Sequence, residues 1–380
     1  RKPRSAEMKQ QLDATHARLA AAEAELSRIT RTMGAVSGGT GPQPRPRTEP
    51  SLEAPVPFGR YELLKCIGQG GMARVFLALA RGTGGFERLF VIKRLHEPLA
   101  RQPEAVAHFV DEARLGASLV HSNIIPVYDF GQVDGEYYMA SEYILGRDLD
   151  TLVRRSLAVD GVALAASAVL FIAREALQAL AYAHGRRDTQ GQHMSLVHRD
   201  VSANNILASA QGEVKLLDFG IAKSADRTAQ HTQAGLVKGN VNFMAPEQAR
   251  GQDVDARADL FSLGLTLYWC LTGEYLYDGR TDYDRLVQSA RGPGPAEWER
   301  VDRLPEPLVS LLRRALQPDP AARFQSAEEF ARALPPLGPE GGTLLAHSLL
   351  RLFDAELRAE TAYRTRLIVP AVSLDQAQTG

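Results

Sequence analysis

The sequence predicts an α+β chain of two lobes, a small β-rich lobe followed by a larger helical one, with a helical extension in front. Three observations predict it. Short strand-like runs bounded by glycines fill the stretch from Tyr61 to Tyr143. Helical apolar spacing dominates from Leu149 onward. A Gly- and Pro-rich stretch, residues 34–57, sets both apart from an N-terminal segment with a heptad rhythm.

In chain order, residues 1–33 are expected to hold a helix. Met8, Leu12, Thr15, Leu19, Ala22, Leu26, Ile29 and Met33 fall four and three apart, the a/d spacing of a coiled coil. Thr15 and Ala22 on that seam weaken a zipper, so residues 6–33 are either a homodimerising coil or a lone helix, solvated or docked on a partner. The small lobe is expected over residues 58–145. Tyr61 to Leu79 reads as two strands around a glycine turn, and Leu89 to Leu95 as a third. Glu104 to Leu119 reads as a helix, followed by strands near Ile125 to Phe130 and Tyr137 to Tyr143. The large lobe, residues 146–335, carries helices expected at Ala165–His184, Leu260–Leu271, Leu308–Leu316 and Ala327–Leu334. The tail, residues 336–380, holds one amphipathic segment, Leu344 to Leu357.

Composition narrows the function classes. The chain has 380 residues, 44% hydrophobic and 23% charged, which is ordinary globular usage. A net charge of −1 argues against a nucleic-acid partner, which normally meets a basic surface. Cys66 and Cys270, the two cysteines, make neither a disulfide framework nor a metal site and fit a reducing cytoplasm. The most apolar run, Val162 to Ala173, is too short to span a bilayer, so no membrane span or signal peptide is expected.

The chemistry sits in five pieces. Ile67-Gly68-Gln69-Gly70-Gly71-Met72-Ala73-Arg74-Val75 places glycines between two strands, where a backbone without Cβ atoms approaches phosphate oxygens closely. A strand after the glycines separates this loop from a dinucleotide-binding fingerprint, which needs a helix there. Lys93, in Val91-Ile92-Lys93, lies within a strand. Alone it reads as an exposed edge-strand lysine; an acid partner would turn it into a phosphate ligand. Glu112 on the next helix is the natural acid, with Asp111 worse placed by helical phase. His198-Arg199-Asp200 precedes Asn205 by a loop, Leu217-Asp218-Phe219-Gly220 ends an apolar run with an acid placed for Mg2+, and Met244-Ala245-Pro246-Glu247-Gln248 follows.

In this order and spacing the pieces form the protein-kinase signature set. From about Phe58 to Leu334 the sequence resembles the eukaryotic-like Ser/Thr protein kinases of bacteria, and its H-R-D-V-S loop resembles the myxobacterial branch. The resemblance implies the bilobal kinase fold, Mg-ATP as phosphoryl donor and protein Ser/Thr hydroxyls as acceptors. It implies that Gly68, Gln69, Gly70, Gly71, Met72 and Ala73 cover the phosphates, and that Ile67, Val75, Val91 and Leu207 sandwich adenine. Glu142 and Tyr143 would offer hinge backbone groups, with Ser141 a small residue at the back of the pocket. Lys93 would pair with Glu112, Asp200 would accept the substrate proton, and Asn205 and Asp218 would hold Mg2+. Glu247 would pair with Arg323, and Asp259 would brace the catalytic loop.

Two departures stand out. Ser202 occupies the position where the family's Ser/Thr-type loop carries lysine, and Gly239-Asn240 replaces a Gly-Thr pair. Lys238 is expected to supply the missing cation. Thr228 and Thr232, with Ser224 as a further candidate, are the expected phosphosites of the activation segment. The alternative is a pseudokinase that binds ATP and acts as a scaffold.

Overall fold

Four consecutive segments at the start of the small lobe pair antiparallel, each with the next. The computed structural model describes residues 55–83, 86–188, 190–219, 240–336, 338 and 340–368. The expected helix at 6–33, Ser224, Thr228, Thr232, Lys238 and Gly239 lie outside the described residues.

Strands β1 (Val56–Phe58), β2 (Tyr61–Gln69), β3 (Ala73–Arg81), β4 (Glu87–Leu95), β5 (Val127–Val133) and β6 (Glu136–Glu142) form one antiparallel sheet in the order β1-β2-β3-β4-β6-β5. Strand β1 lies partly within the stretch expected to be linker. It sits at the sheet edge, where Pro57 loses no ladder bond. Register shifts in β2 at Leu63/Lys65 and Cys66/Gly68 bend the strand just before its glycine turn. Phe58, Tyr61, Phe76, Ile92 and Tyr138 fill one face of the sheet. Helix α1 (Glu97–Ala100) leads into α2 (Pro103–Ser118), which starts on a proline and packs Phe109 and Ala113 against Leu95 and Met139.

The large lobe begins with β7 (Gly146–Asp148), which pairs with β8 (Ile206–Ser209), itself paired with β9 (Val214–Leu216). Gly146 is required there, since a Cβ would stand 2.1 Å from the Ala208 carbonyl oxygen. Helix α3 (Leu149–Asp160) is capped by the Asp148 carboxylate, which accepts from the Thr151 amide, and ends on left-handed Gly161. Helix α4 (Ala166–His184) is long and apolar enough to cross a membrane by length and composition. Its Ile172, Ala176, Leu177 and Leu180 are instead buried in the lobe core. Helices α5 (Pro246–Ala249), α6 (Ala256–Thr272), α7 (Asp282–Arg291), α8 (Pro295–Val301), α9 (Leu308–Ala315) and α10 (Ala327–Ala333) complete the lobe. Residues Ala258 through Cys270 of α6 are all buried, so this helix is enclosed on every side, Asp259 included.

The tail contributes α11 (Gly341–Ile368), longer than the amphipathic segment read from sequence, with non-helical backbone at Phe353. Its Leu345, Leu349, Leu352, Phe353 and Leu357 belong to the same buried core as α4 and α6. The predicted α+β bilobal architecture is therefore the observed one.

Candidate active site

Between the sheet and the helical lobe lies a cavity of about 950 Å3. From the sheet come Ile67, Gly68, Val75, Val91, Lys93, Ser141 and Glu142; from the lobe below come Asn205, Leu207, Leu217, Asp218 and Phe219. Tyr143 and Ile144 bridge the two. The other expected turn residues, Gln69, Gly70, Gly71, Met72 and Ala73, are not part of this wall. Their turn is closed by Gly70 N donating to the Ala73 carbonyl at 2.9 Å. His96 tethers it, with its ring on the Gly70 carbonyl at 2.8 Å and its amide on the Met72 carbonyl at 2.9 Å.

Strand β4 aims Lys93 into the cavity. Its Nζ donates to Glu112 Oε1 at 2.5 Å and to Asp218 Oδ2 at 2.9 Å. Burial alone would lower the Lys93 pKa, but the carboxylates of Asp218 and Glu112 outweigh it and hold the ammonium above its ordinary value. Asp111, one residue before Glu112, faces Arg114 at 3.6 Å with its side chain 55% exposed. Helical phase thus selects the acid.

The catalytic-loop candidate is held by its own backbone. Asp259, fully buried on α6, accepts from the His198 amide and the Arg199 amide at 2.8 Å each and contacts His184 Nε2 at 2.8 Å. The His198 ring sits 2.7 Å from the Leu217 carbonyl through Nε2, and its Nδ1 accepts from the Asp200 amide at 3.2 Å. One nitrogen donating and the other accepting is the neutral tautomer, and burial lowers the His198 pKa in the same direction. Phe219 packs on that ring, centroids 4.6 Å apart. Arg199 and Asp218 both adopt left-handed backbone, φ +64° and +37°. Such conformations in non-glycine residues persist where neighbours over-determine them, commonly at active sites.

Asn205 Nδ2 donates to the Asp200 carbonyl and to Asp200 Oδ2, both at 2.8 Å. This fixes the amide plane, so the Asn205 oxygen is the atom left for a cation. Carboxylate oxygen from Asp218 and amide oxygen from Asn205, both lining the cavity, are the hard donors that suit Mg2+. Mg2+ sites typically take one or two protein oxygens and leave the rest to substrate phosphates and water, and this donor set fits that pattern.

Ser202 is buried at 2% exposure. Asn240 does not hydrogen-bond to it. Asn240 Nδ2 donates instead to Asn204 Oδ1 at 3.0 Å, and Asn240 Oδ1 accepts from Asn242. The contact from the segment before the Met244-Ala245-Pro246-Glu247 stretch to the catalytic loop therefore runs through Asn204. Sequence reasoning passed over Asn204, although the Asn204-Asn205 doublet could have signalled it. Ile144 and Asp148, and from the tail Ala359, Glu360 and Tyr363, also line the cavity without having been expected. Farther off, Arg323 donates twice to Glu247, at 2.7 and 2.8 Å, with the Arg323 side chain at 0% exposure.

A carboxylate-clamped lysine on one wall of a cleft and an aspartate–asparagine pair on the other form the arrangement that nucleotide-dependent phosphotransferases use. Residues 61–333 match the protein kinase domain family, and the chain belongs to that family. Tyrosine-protein kinase MasK of Myxococcus xanthus is 41% identical over 278 residues, 73% of this chain and 43% of its own length. Serine/threonine-protein kinase PrkC of Bacillus subtilis is 33% identical over 273 residues, 72% of this chain and 39% of its own length. The crystal structure of the PknI kinase domain of Mycobacterium tuberculosis, a double mutant, aligns with TM-score 0.56 and 29% identity, covering 75% of this chain and 98% of that one. The chain spans about two fifths of the length of the curated relatives it matches. The fold and bacterial kinase homology agree with the family expected from the motifs.

Proposed function

We propose that this chain transfers the γ-phosphoryl group of Mg-ATP to serine and threonine hydroxyls of proteins, its own activation segment among them. The observation that carries the reading is Lys93 clamped between Glu112 and Asp218 on a cavity that Asn205 also lines. In this reading Lys93 holds the α- and β-phosphates and the turn at Gly68–Ala73 covers them. Ile67, Val75, Val91 and Leu207 enclose the base, and the backbone of Glu142 and Tyr143 binds its edge. Asn205 and Asp218 would hold Mg2+, which would supply neutralisation of the charge that builds on the phosphate oxygens. Asp200 orients the acceptor hydroxyl and takes its proton as that oxygen bonds to the γ-phosphorus, while the bond to the bridging oxygen breaks and ADP leaves. Intact Lys93, Asp200, Asn205 and Asp218 argue against an ATP-binding scaffold without turnover. Lys238 as the compensating cation, and Thr228 and Thr232 as phosphosites, remain part of the proposal on sequence grounds. So do a coil at 6–33 and a cytoplasmic location, where ATP is available.

A second reading is a tyrosine acceptor. Ser202, in place of the lysine of Ser/Thr-type loops, and the similarity to tyrosine-protein kinase MasK favour it. Phosphoamino-acid analysis after incubation with γ-labelled Mg-ATP decides between them. Label in phosphoserine and phosphothreonine supports the proposal, whereas label confined to phosphotyrosine replaces it with the second reading.

A further inference from the structure

The kinase family match ends at residue 333, yet α11 lies beyond it and reaches the cavity. The start of this helix is seated by close backbone approach. A Cβ on Gly341 would stand 2.6 Å from Phe171, and one on Gly212 would stand 2.2 Å from the Gly342 carbonyl oxygen. The first half of α11 is then anchored by Leu345, Leu349 and Leu352 in the core of the large lobe and by an ion pair between Arg351 and Asp160. At Phe353 the backbone leaves helical geometry. That ring is covered by the guanidinium groups of Arg147 and Arg155, at 5.2 and 4.7 Å from its centroid.

Past that point α11 does two different things one turn apart. Glu356 pairs with Arg155 on α3 at 2.5 Å and lies outside the cavity wall. Glu360 lines the cavity. It accepts from Arg147 through both oxygens, Nη2 at 2.6 Å and Nη1 at 3.3 Å, and from the Tyr143 hydroxyl at 3.3 Å. The Arg364 guanidinium lies 5.7 Å from the Tyr143 ring centroid. Burial, then the Glu360 charge, push the Tyr143 phenol up to about 12, so it stays a protonated donor at neutral pH. Ala359 and Tyr363 complete this wall.

We infer that Glu360 is a positioning residue of the nucleotide site, acting through Tyr143 and Arg147, and that the second half of α11 is a wall of that site contributed from outside the kinase domain. The inference rests on the kinase reading of the cavity. Tyr143 belongs to the segment that joins the lobes, and its backbone is the base-binding edge in that reading. Fixing its side chain from α11 sets where that edge stands when nucleotide arrives. Without Glu360, Arg147 faces the cavity without this anion and Tyr143 loses this acceptor, so the segment must be ordered at the expense of binding.

The test uses the full chain with three substitutions, Glu360→Ala, Glu360→Gln and Glu356→Ala. It measures Mg-ATP affinity by titration calorimetry, KM for ATP, kcat and thermal stability. For Glu360→Ala the expected result is about a tenfold loss of ATP affinity, the size of one charge-assisted hydrogen bond, carried by KM with kcat retained. Glu360→Gln, which preserves shape, should move the same way by less. Glu356→Ala should lower stability comparably and leave ATP affinity at the wild-type value. A purely structural role for Glu360 would instead lower stability and leave KM unchanged, which overturns the inference. Equal affinity losses from Glu356→Ala and Glu360→Ala overturn it as well. A wild-type chain that binds no Mg-ATP overturns the kinase reading and this inference together; normal wild-type binding with an unchanged Glu360→Ala overturns this inference alone.

Discussion

Replacing Glu112 with alanine isolates the contribution of the lysine clamp. In the wild-type cavity Lys93 is held by two carboxylates, Glu112 at 2.5 Å and Asp218 at 2.9 Å, with the Lys93 and Glu112 side chains only 21% and 12% exposed. A charge-assisted hydrogen bond in such a setting contributes about 1.5–3 kcal/mol. Once Glu112 is gone, Asp218 is the remaining anion on Lys93, and the ammonium is drawn to the carboxylate proposed to hold the metal. That lost positioning falls on the transition state, so kcat/KM for ATP should drop by about 10- to 100-fold at ~1.4 kcal/mol per tenfold. The assay is initial-rate transfer of labelled γ-phosphate to a generic protein acceptor across an ATP series. Asp111→Ala is the matched control, because Asp111 is 55% exposed and faces Arg114 rather than the cavity. Wild-type kinetics in Glu112→Ala, or an equal loss in Asp111→Ala, would refute the clamp.

Three other outcomes follow from the structure and the sequence. Arg323→Leu leaves the Glu247 carboxylate buried without its bidentate partner, so unfolding free energy in urea should fall by about 3–5 kcal/mol. His198 is fully buried and its pKa is lowered from 6.5, so as pH drops below that value the unfolded chain takes up a proton that the folded chain refuses. Stability should therefore decline on acidification through that window, by up to about 1.4 kcal/mol per pH unit from this group, and thermal melts of His198→Leu should show a shallower slope. Lys238→Ala should cut kcat by about 10²–10³ if Lys238 replaces the cation missing at Ser202, with Ser202→Lys in the same chain recovering activity. Wild-type turnover in Lys238→Ala would end that idea.

Much of this site was legible in the sequence because its parts obey local rules. Lys93 alone left solvent and cleft both open and was placed by the acid on the next helix, helical phase chose Glu112 over Asp111, and an acid at the end of an apolar run placed Asp218 at a cleft. The rest depended on contacts that no local pattern encodes. Asn240 and Ser202 stood out only as paired departures from the family pattern; that the Asn240 amide is engaged by Asn204 and Asn242 depends on how the two loops meet. In α11 the apolar spacing that marks a helix ends near Leu357, where burial in the large lobe ends. The part that meets the cavity, Glu360 and Tyr363, is polar on its outer side and is joined to Tyr143 and Arg147 from more than 200 positions away along the chain. Strand β1 escaped notice for a related reason, since Val56–Phe58 is too short to alternate and is identified only by its pairing with β2.

The central claim, that this cavity is a working phosphoryl-transfer site, is tested most directly by comparing wild type with Asp200→Asn in the γ-phosphate transfer assay. Asp200 is held by Asn205 at 2.8 Å without lining the cavity itself, so the substitution should spare nucleotide binding. Loss of a general base of this kind typically costs about 10²–10⁴ in rate. The account predicts unchanged Mg-ATP affinity with transfer reduced by that factor. Equal transfer from the two chains would contradict it.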